Sequence, residues 1–149
     1  MNFAKYLLLL LLIFPYSSIY SSEDISDQLK LPDGFKISIY AKDIKSARQI
    51  AESKDGVIFV GSKSGDSVMA LIDSNNDNYA ETKIIVASGL SNPTGVAFKN
   101  GDLYFSEIDK IWIVKNIDVY IQNGMYAEPP LKEIYTDQLP SDSWHGWKW

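Results

Sequence analysis

ARQIAESKDGVIFVGSKSGDSVMALID, residues 47 to 73, can be laid on PTGVAFKNGDLYFSEIDKIWIVKNID, residues 93 to 118. Ile50 falls on Val96 and Asp55-Gly56 on Asn100-Gly101, while Val57-Ile58-Phe59 falls on Asp102-Leu103-Tyr104 or one residue beside it. The offset is 45 or 46 residues with small gaps. The Asp-Gly and Asn-Gly pairs supply the positive φ angles of a tight hairpin turn. Around them GVIFVG (56–61), SVMALID (67–73), KIIVA (83–87), GVAF (95–98), DLYFSE (102–107) and KIWIVK (110–115) are short, rich in β-branched residues and bounded by turn formers. These are strand signals. GFKISIYA (34–41) alternates with period two, Phe35, Ile37 and Ile39 on one side and Lys36, Ser38 and Tyr40 on the other, so it also reads as a half-buried strand. No helix of ten or more residues is expected; Ile117 to Gln122 suits a short one.

Each unit therefore runs strand, turn, strand, turn, strand, longer loop, strand. A four-stranded unit repeated at this period is the signature of a β-propeller blade, and a lone blade leaves both faces bare. The end of the chain fits the same register. LPSDSWHGWKW (139–149) holds the single histidine, His145, and three of the four tryptophans, and TGVAF (94–98) pairs with HGWKW (145–149). The fold class expected is all-β: two propeller blades plus the first strand of a third, with His145 opening that strand. On this reading the 149 residues are the N-terminal part of a larger ring.

Before that repeat, residues 1–21 read as a secretory signal. Lys5 precedes an apolar run from Leu7 to Phe14, then Pro15 and small polar residues, with a cut expected near Ser21. The run falls short of a membrane span, so no stable span is expected after cleavage. Residues 22–30 read as an acidic, serine-containing linker, and 31–149 as the propeller portion. Export without any cysteine suits a periplasmic or secreted protein held by its core rather than by disulfides. The formal charge is −5, the charges are scattered, and no basic stripe marks a nucleic-acid partner.

LPDGFKISIYA, the two repeat stretches, SGLSNPTGVAFKNGDLYFSEIDKIW and the closing LPSDSWHGWKW together resemble the start of soluble PQQ-dependent sugar dehydrogenases, the glucose/sorbosone dehydrogenase family. The resemblance runs from about Leu31 to Trp149. It implies a six-bladed propeller holding pyrroloquinoline quinone over its central channel, with calcium beside the cofactor. It also implies a general-base histidine at the inner start of the third blade, the motif position of His145. The implied partners are an aldose or related sugar and an electron acceptor such as a cytochrome or quinone. Cofactor ligands are expected beyond residue 149. Two other readings keep the architecture without the quinone: a non-catalytic secreted binding module, and a lactonase-type hydrolase needing calcium-binding acids at inner strand ends.

Other residues carry less. Asp142 and Trp144 are candidates for the vicinity of substrate or cofactor, although LPSD is also an ordinary turn. Trp147 is read as packing between blades. Arg48 and Glu107 stand near strand ends, where pairing between strands is the default. Asp73, Asn75, Asp77 and Glu81 in DSNNDNYAE match the first positions of a calcium loop, with Asn78 at the glycine position. The closing bidentate acid would fall at Ile84, so the stretch reads as a solvated hairpin loop.

Overall fold

The computed structural model describes residues 28–124, 126–141 and 148. The chain divides into two units between Ile37 and Ser38. In the second, eight strands and one helix follow in chain order: β1 (Ala47–Glu52), β2 (Ile58–Ser62), β3 (Val68–Ile72), β4 (Thr82–Ala87), β5 (Val96–Lys99), β6 (Asp102–Ser106), β7 (Ile111–Val114), α1 (Ile117–Asn123) and β8 (Glu133–Thr136). They form two separate four-stranded sheets, ordered β1-β2-β3-β4 and β5-β6-β7-β8, each an antiparallel meander. Among the described residues the architecture is β-sheet apart from the short α1, in line with the all-β expectation.

The ladders give the repeat its register. Ile50 stands opposite Val60, and Val96 opposite Phe105, so β1 maps to β5 at 46 residues and β2 to β6 at 45. Ile58 faces Leu71 and Leu103 faces Val114, which sets 43 for β3 to β7. Met69 faces Ile85 and Trp112 faces Ile134, which sets 49 for β4 to β8. The last connection is thus six residues longer in the second unit, and α1 occupies it. Asn100 and Gly101 form a two-residue hairpin with φ of 54° and 89°, the left-handed pair that a right-twisted hairpin needs. In the longer first hairpin only Gly56 is left-handed, at 80°, and the Ser53 hydroxyl accepts from the backbone of Val57 at 3.0 Å.

Packing between the sheets follows from side-chain alternation. Phe59 and Gly61 of β2 face the second sheet. Phe59 is fully buried and stacks on Phe98, with ring centroids 5.9 Å apart and planes 16° apart. Val96, Phe98, Leu103, Phe105 and Val114 share the receiving face of sheet two. Their counterparts in sheet one, among them Ile50, Ile58, Val60 and Leu71, lie on its opposite face. There Val60 and Leu71 pack with Tyr40, Ala41, Ile44 and Ile58 in a separate cluster. Unlike faces therefore meet: the Phe59 side of sheet one lies on the side of sheet two that does not carry Tyr104, the counterpart of Phe59.

Close approach of backbones sets this stacking. A Cβ at Gly61 would stand 2.6 Å from the Pro93 carbonyl oxygen and nearer still to that of Thr94. Ser62 N–H donates to the Pro93 carbonyl at 2.8 Å, so the chain enters β5 pressed against β2. A glycine inside a strand often marks such an approach. Helix α1 then ties both hairpins. Ile117 and Ile121 enter the common core, Asp118 lies beside Gly101 and 3.8 Å from Lys54, and Gln122 donates to Asp55 at 3.1 Å.

One expected strand is not formed. Residues 35–40 make no ladder, and Phe35, Ile37 and Ile39 are exposed. Alternation states which side chains share a face, but a strand also needs a ladder of backbone bonds to a neighbour, and among the described residues this stretch has no such ladder. In the second unit, Tyr40 C=O accepts from Ala80 N–H at 2.8 Å.

Gly61→Ala should lower stability by about 1–3 kcal/mol in thermal or urea unfolding, since the added methyl meets backbone rather than a yielding side chain. Wild-type stability in that variant would contradict the close approach.

Candidate functional site

His145, Asp142, Trp144 and Trp147 lie outside the described residues. What is described is the place on sheet two where the Lys148 backbone rests. Ser106, the last residue of β6, is buried. Its Oγ accepts from Gly95 N–H at 3.0 Å and donates to the Lys148 carbonyl at 2.8 Å. Ser106 N–H donates to the Gly95 carbonyl at 2.9 Å. A Cβ at Gly95 would collide with the Lys148 carbonyl. Lys148 Nζ also donates to the Pro140 carbonyl at 3.1 Å. Gly95 shares a face with Ala97 and Tyr104, so the Lys148 backbone lies on the face of sheet two turned away from sheet one. A cavity of about 120 Å³, lined by Gly95, Ala97, Tyr104, Ile111 and Lys148, opens beside it.

The same arrangement recurs one unit earlier. Thr94 is buried, and Pro93 and Thr94 press on Gly61 at the end of β2, the place that Lys148 takes against Ser106, although the match of TGVAF to HGWKW aligns Lys148 with Ala97. Twice, then, the end of a sheet's second strand receives backbone from the chain beyond that sheet. The signal for this was legible: Gly61 interrupts an apolar strand. Ser106 gives no signal in the sequence, because a serine closing a strand is ordinary.

Glu107 has a structural task. One carboxylate oxygen accepts from Ser91 N–H at 2.6 Å and the other from Trp112 Nε1–H at 2.7 Å, tying the loop before β5 to β7. This is the pairing the sequence leads one to expect. Arg48 sits on β1 with its side chain exposed.

In the β3–β4 connection, one ligand atom from each of Asp73, Asp77 and Glu81 lies within 4.8 Å of the other two. Their hydrogen bonds are directed into the loop. Asp73 accepts from the backbone of Asp77 at 3.2 Å and of Asn78 at 2.8 Å. Asn75 accepts from Asp77 N–H at 2.9 Å, and Asp77 from Tyr79 N–H at 2.9 Å. Glu81 accepts from both the N–H and hydroxyl of Ser74. Asn76 and Asn78 are left-handed at 60° and 69°, as the calcium-loop match requires of Asn78. The carboxylates thus satisfy loop N–H groups, the usual work of Asp and Asn in turns. With the twelfth position occupied by Ile84, the arrangement is that of a self-bonded hairpin loop.

Burial pushes the Tyr40 phenol above the usual tyrosine range, and the charges of Asp73, Glu52 and Glu81 push it the same way. Tyr120 is raised by burial and Tyr126, and Lys115 by its hydrogen bond and charge contact with Glu133.

No family model matches the chain. It is 36% identical over 123 residues to an uncharacterized protein of Borreliella burgdorferi, a match that takes in 81% of this chain and 31% of that protein. The chain thus spans about a third of the length of the curated relative it matches. Among the described residues, no helix is long and apolar enough to cross a membrane.

Two outcomes follow. Asp73→Ala should cost about 1 kcal/mol in chelator-treated protein, because two loop N–H groups lose their acceptor; an unchanged unfolding midpoint would mean that the loop does not use those bonds. A raised folded-state pKa gives stability that is present below the unfolded value and lost as pH rises through the folded one. Unfolding should therefore ease above about pH 10, and Tyr40→Phe should remove part of that alkaline loss in a pH series of urea melts.

Proposed function

We propose that this chain forms the first two blades, and opens the third, of a β-propeller related to PQQ-dependent glucose/sorbosone dehydrogenases, exported to the periplasm or outside the cell. The observation that carries the architecture is the stacking of unlike faces. A sandwich buries like faces and is complete with two sheets, whereas unlike-face stacking presents the next receiving surface each time. The Lys148 backbone on the outward face of sheet two, placed as Pro93-Thr94 is on sheet one, supports a third unit beginning there.

In this reading His145 is the general base. A neutral imidazole accepts the proton of the sugar's anomeric hydroxyl near neutral pH, and position decides whether it does so. Pyrroloquinoline quinone, when bound, supplies the two-electron acceptor for the hydride of the anomeric carbon, and calcium accompanies it. Three carboxylates on that cofactor call for converging cations. This chain has 19 acidic residues against 14 Lys and Arg, with its charges scattered, so it is a poor holder by itself, and the ligands are assigned outside it. Asp142 and Trp144 are placed near substrate or cofactor by the same resemblance. The 149 residues alone should be inactive.

A lactonase-type hydrolase would need calcium-binding acids at inner strand ends, but the acidic cluster lies between β3 and β4, away from β1. A non-catalytic binding module shares the architecture and is separated by assay. In a longer form of the protein loaded with the quinone and calcium, aldose-dependent dye reduction should be present. It should fall by a factor of about 100 or more on His145→Ala and on His145→Gln. Undiminished dye reduction in both variants would remove His145 from the chemistry, and no aldose oxidation by the loaded wild type would favour the binding module.

A further inference from the structure

We propose that the outward faces of the two sheets are halves of one interface, so that sheet two of one copy of this chain seats on sheet one of another. The inference rests on the stacking of unlike faces, not on the sugar chemistry. The contact inside the chain is its template. There sheet one presents Phe59 to a face of sheet two built from Val96, Phe98, Leu103 and Phe105. At offsets of 46 and 45 residues the counterparts of Val96, Leu103 and Phe105 are Ile50, Ile58 and Val60, on the outward face of sheet one. The counterparts of Ala51 and Phe59 are Ala97 and Tyr104, on the outward face of sheet two. Each copy thus carries both members of the pair that its own sheets already make.

The seat on sheet one is open. Ile50 and Ile85 are exposed, and a cavity of about 550 Å³ lies between Ile50, Ile58 and the stretch that carries Tyr40 and Ile44. On sheet two Tyr135 is exposed and stands edge-on to Tyr104, with ring centroids 5.3 Å apart. The departures from the template match each other. Phe59 stacks on Phe98 within the chain, and their counterparts are Tyr104 and Glu52. A ring stack is thereby replaced by a phenol hydroxyl that donates to a carboxylate, and Glu52 is exposed on the same face as Ile50. The Lys148 backbone does not bar the way. It rests at Ser106, two residues beyond Tyr104, as Pro93 and Thr94 rest at Gly61, two residues beyond Phe59, and Phe59 still reaches Phe98. Such a head-to-tail interface builds a ring where the rotation closes and an open chain where it does not.

Sedimentation velocity of the chain over a series of concentrations tests this. Wild type should form larger species as concentration rises. Ile50→Lys and Ala97→Lys, each placing a cation on one face only, should each stay monomeric with unchanged circular dichroism. Mixed in equal amounts they should give a dimer and nothing larger, because one intact face of each kind remains. Tyr104→Phe and Glu52→Ala should each weaken association about tenfold, and the double variant should be no weaker than either. Wild type that stays monomeric, its seat held by its own Tyr40–Ile44 stretch or reserved for a later unit of a longer chain, would overturn the proposal. So would a lysine variant that associates as wild type does, or a mixture that stays monomeric. The dehydrogenase reading fails separately: a longer form that oxidises no sugar changes none of these outcomes, and a monomeric chain leaves the His145 assay standing.

Discussion

The contact on which the rest depends is backbone against backbone, Gly61 in β2 under the carbonyls of Pro93 and Thr94. Without a side chain at 61 the chain entering the second sheet can come close enough for Ser62 to bond it and for Phe59 to stack on Phe98. Apolar burial supplies the energy of that stack, at about 25 cal/mol per Å² of area removed from water. Burial alone has no direction, however. The close approach decides which faces meet.

That decision has consequences for function. Because unlike faces meet, sheet one keeps an outward surface of the kind that sheet two has already buried, with Ile50 65% exposed and Ile85 50% exposed. Sheet two in turn offers the face of Ala97 and Tyr104, where the Lys148 backbone rests. The site proposed for this protein would then be a property of succession, with each unit preparing the seat for the next and the proposed third unit carrying His145. Helix α1 and the hydrogen bonds of Glu107 stiffen the pair of units from opposite ends of the strands, through the hairpin turns and through the loop before β5.

Much of this was legible in the residues. Alternation of Val, Ile and Phe marked β2, β3, β4, β6 and β7, and the Asp-Gly and Asn-Gly pairs marked the turns. The short helix was visible in the apolar spacing of Ile117 and Ile121. β1, ARQIAE, has little strand character and is recognised only by its match to the second unit. β8, EIYT, is short and largely exposed, so neither periodicity nor burial announces it. GFKISIYA shows the opposite failure, a clean alternation that finds no ladder. In the acidic loop the structure brings Asp73, Asp77 and Glu81 near one another, but their spacing could not say that their oxygens accept loop N–H groups. Ser106 was invisible, because its importance lies in a bond to Lys148, 42 residues away.

The central claim is that sheet one lies on sheet two by unlike faces, and proton nuclear Overhauser contacts between aromatic rings test it most directly. The account predicts a cross-peak between Phe59 and Phe98, whose centroids are 5.9 Å apart, and none between Phe59 and Tyr104. A Phe59–Tyr104 contact with Phe59–Phe98 absent would mean that like faces meet. The two sheets would then be a closed sandwich, and the proposed succession of blades would have no structural basis.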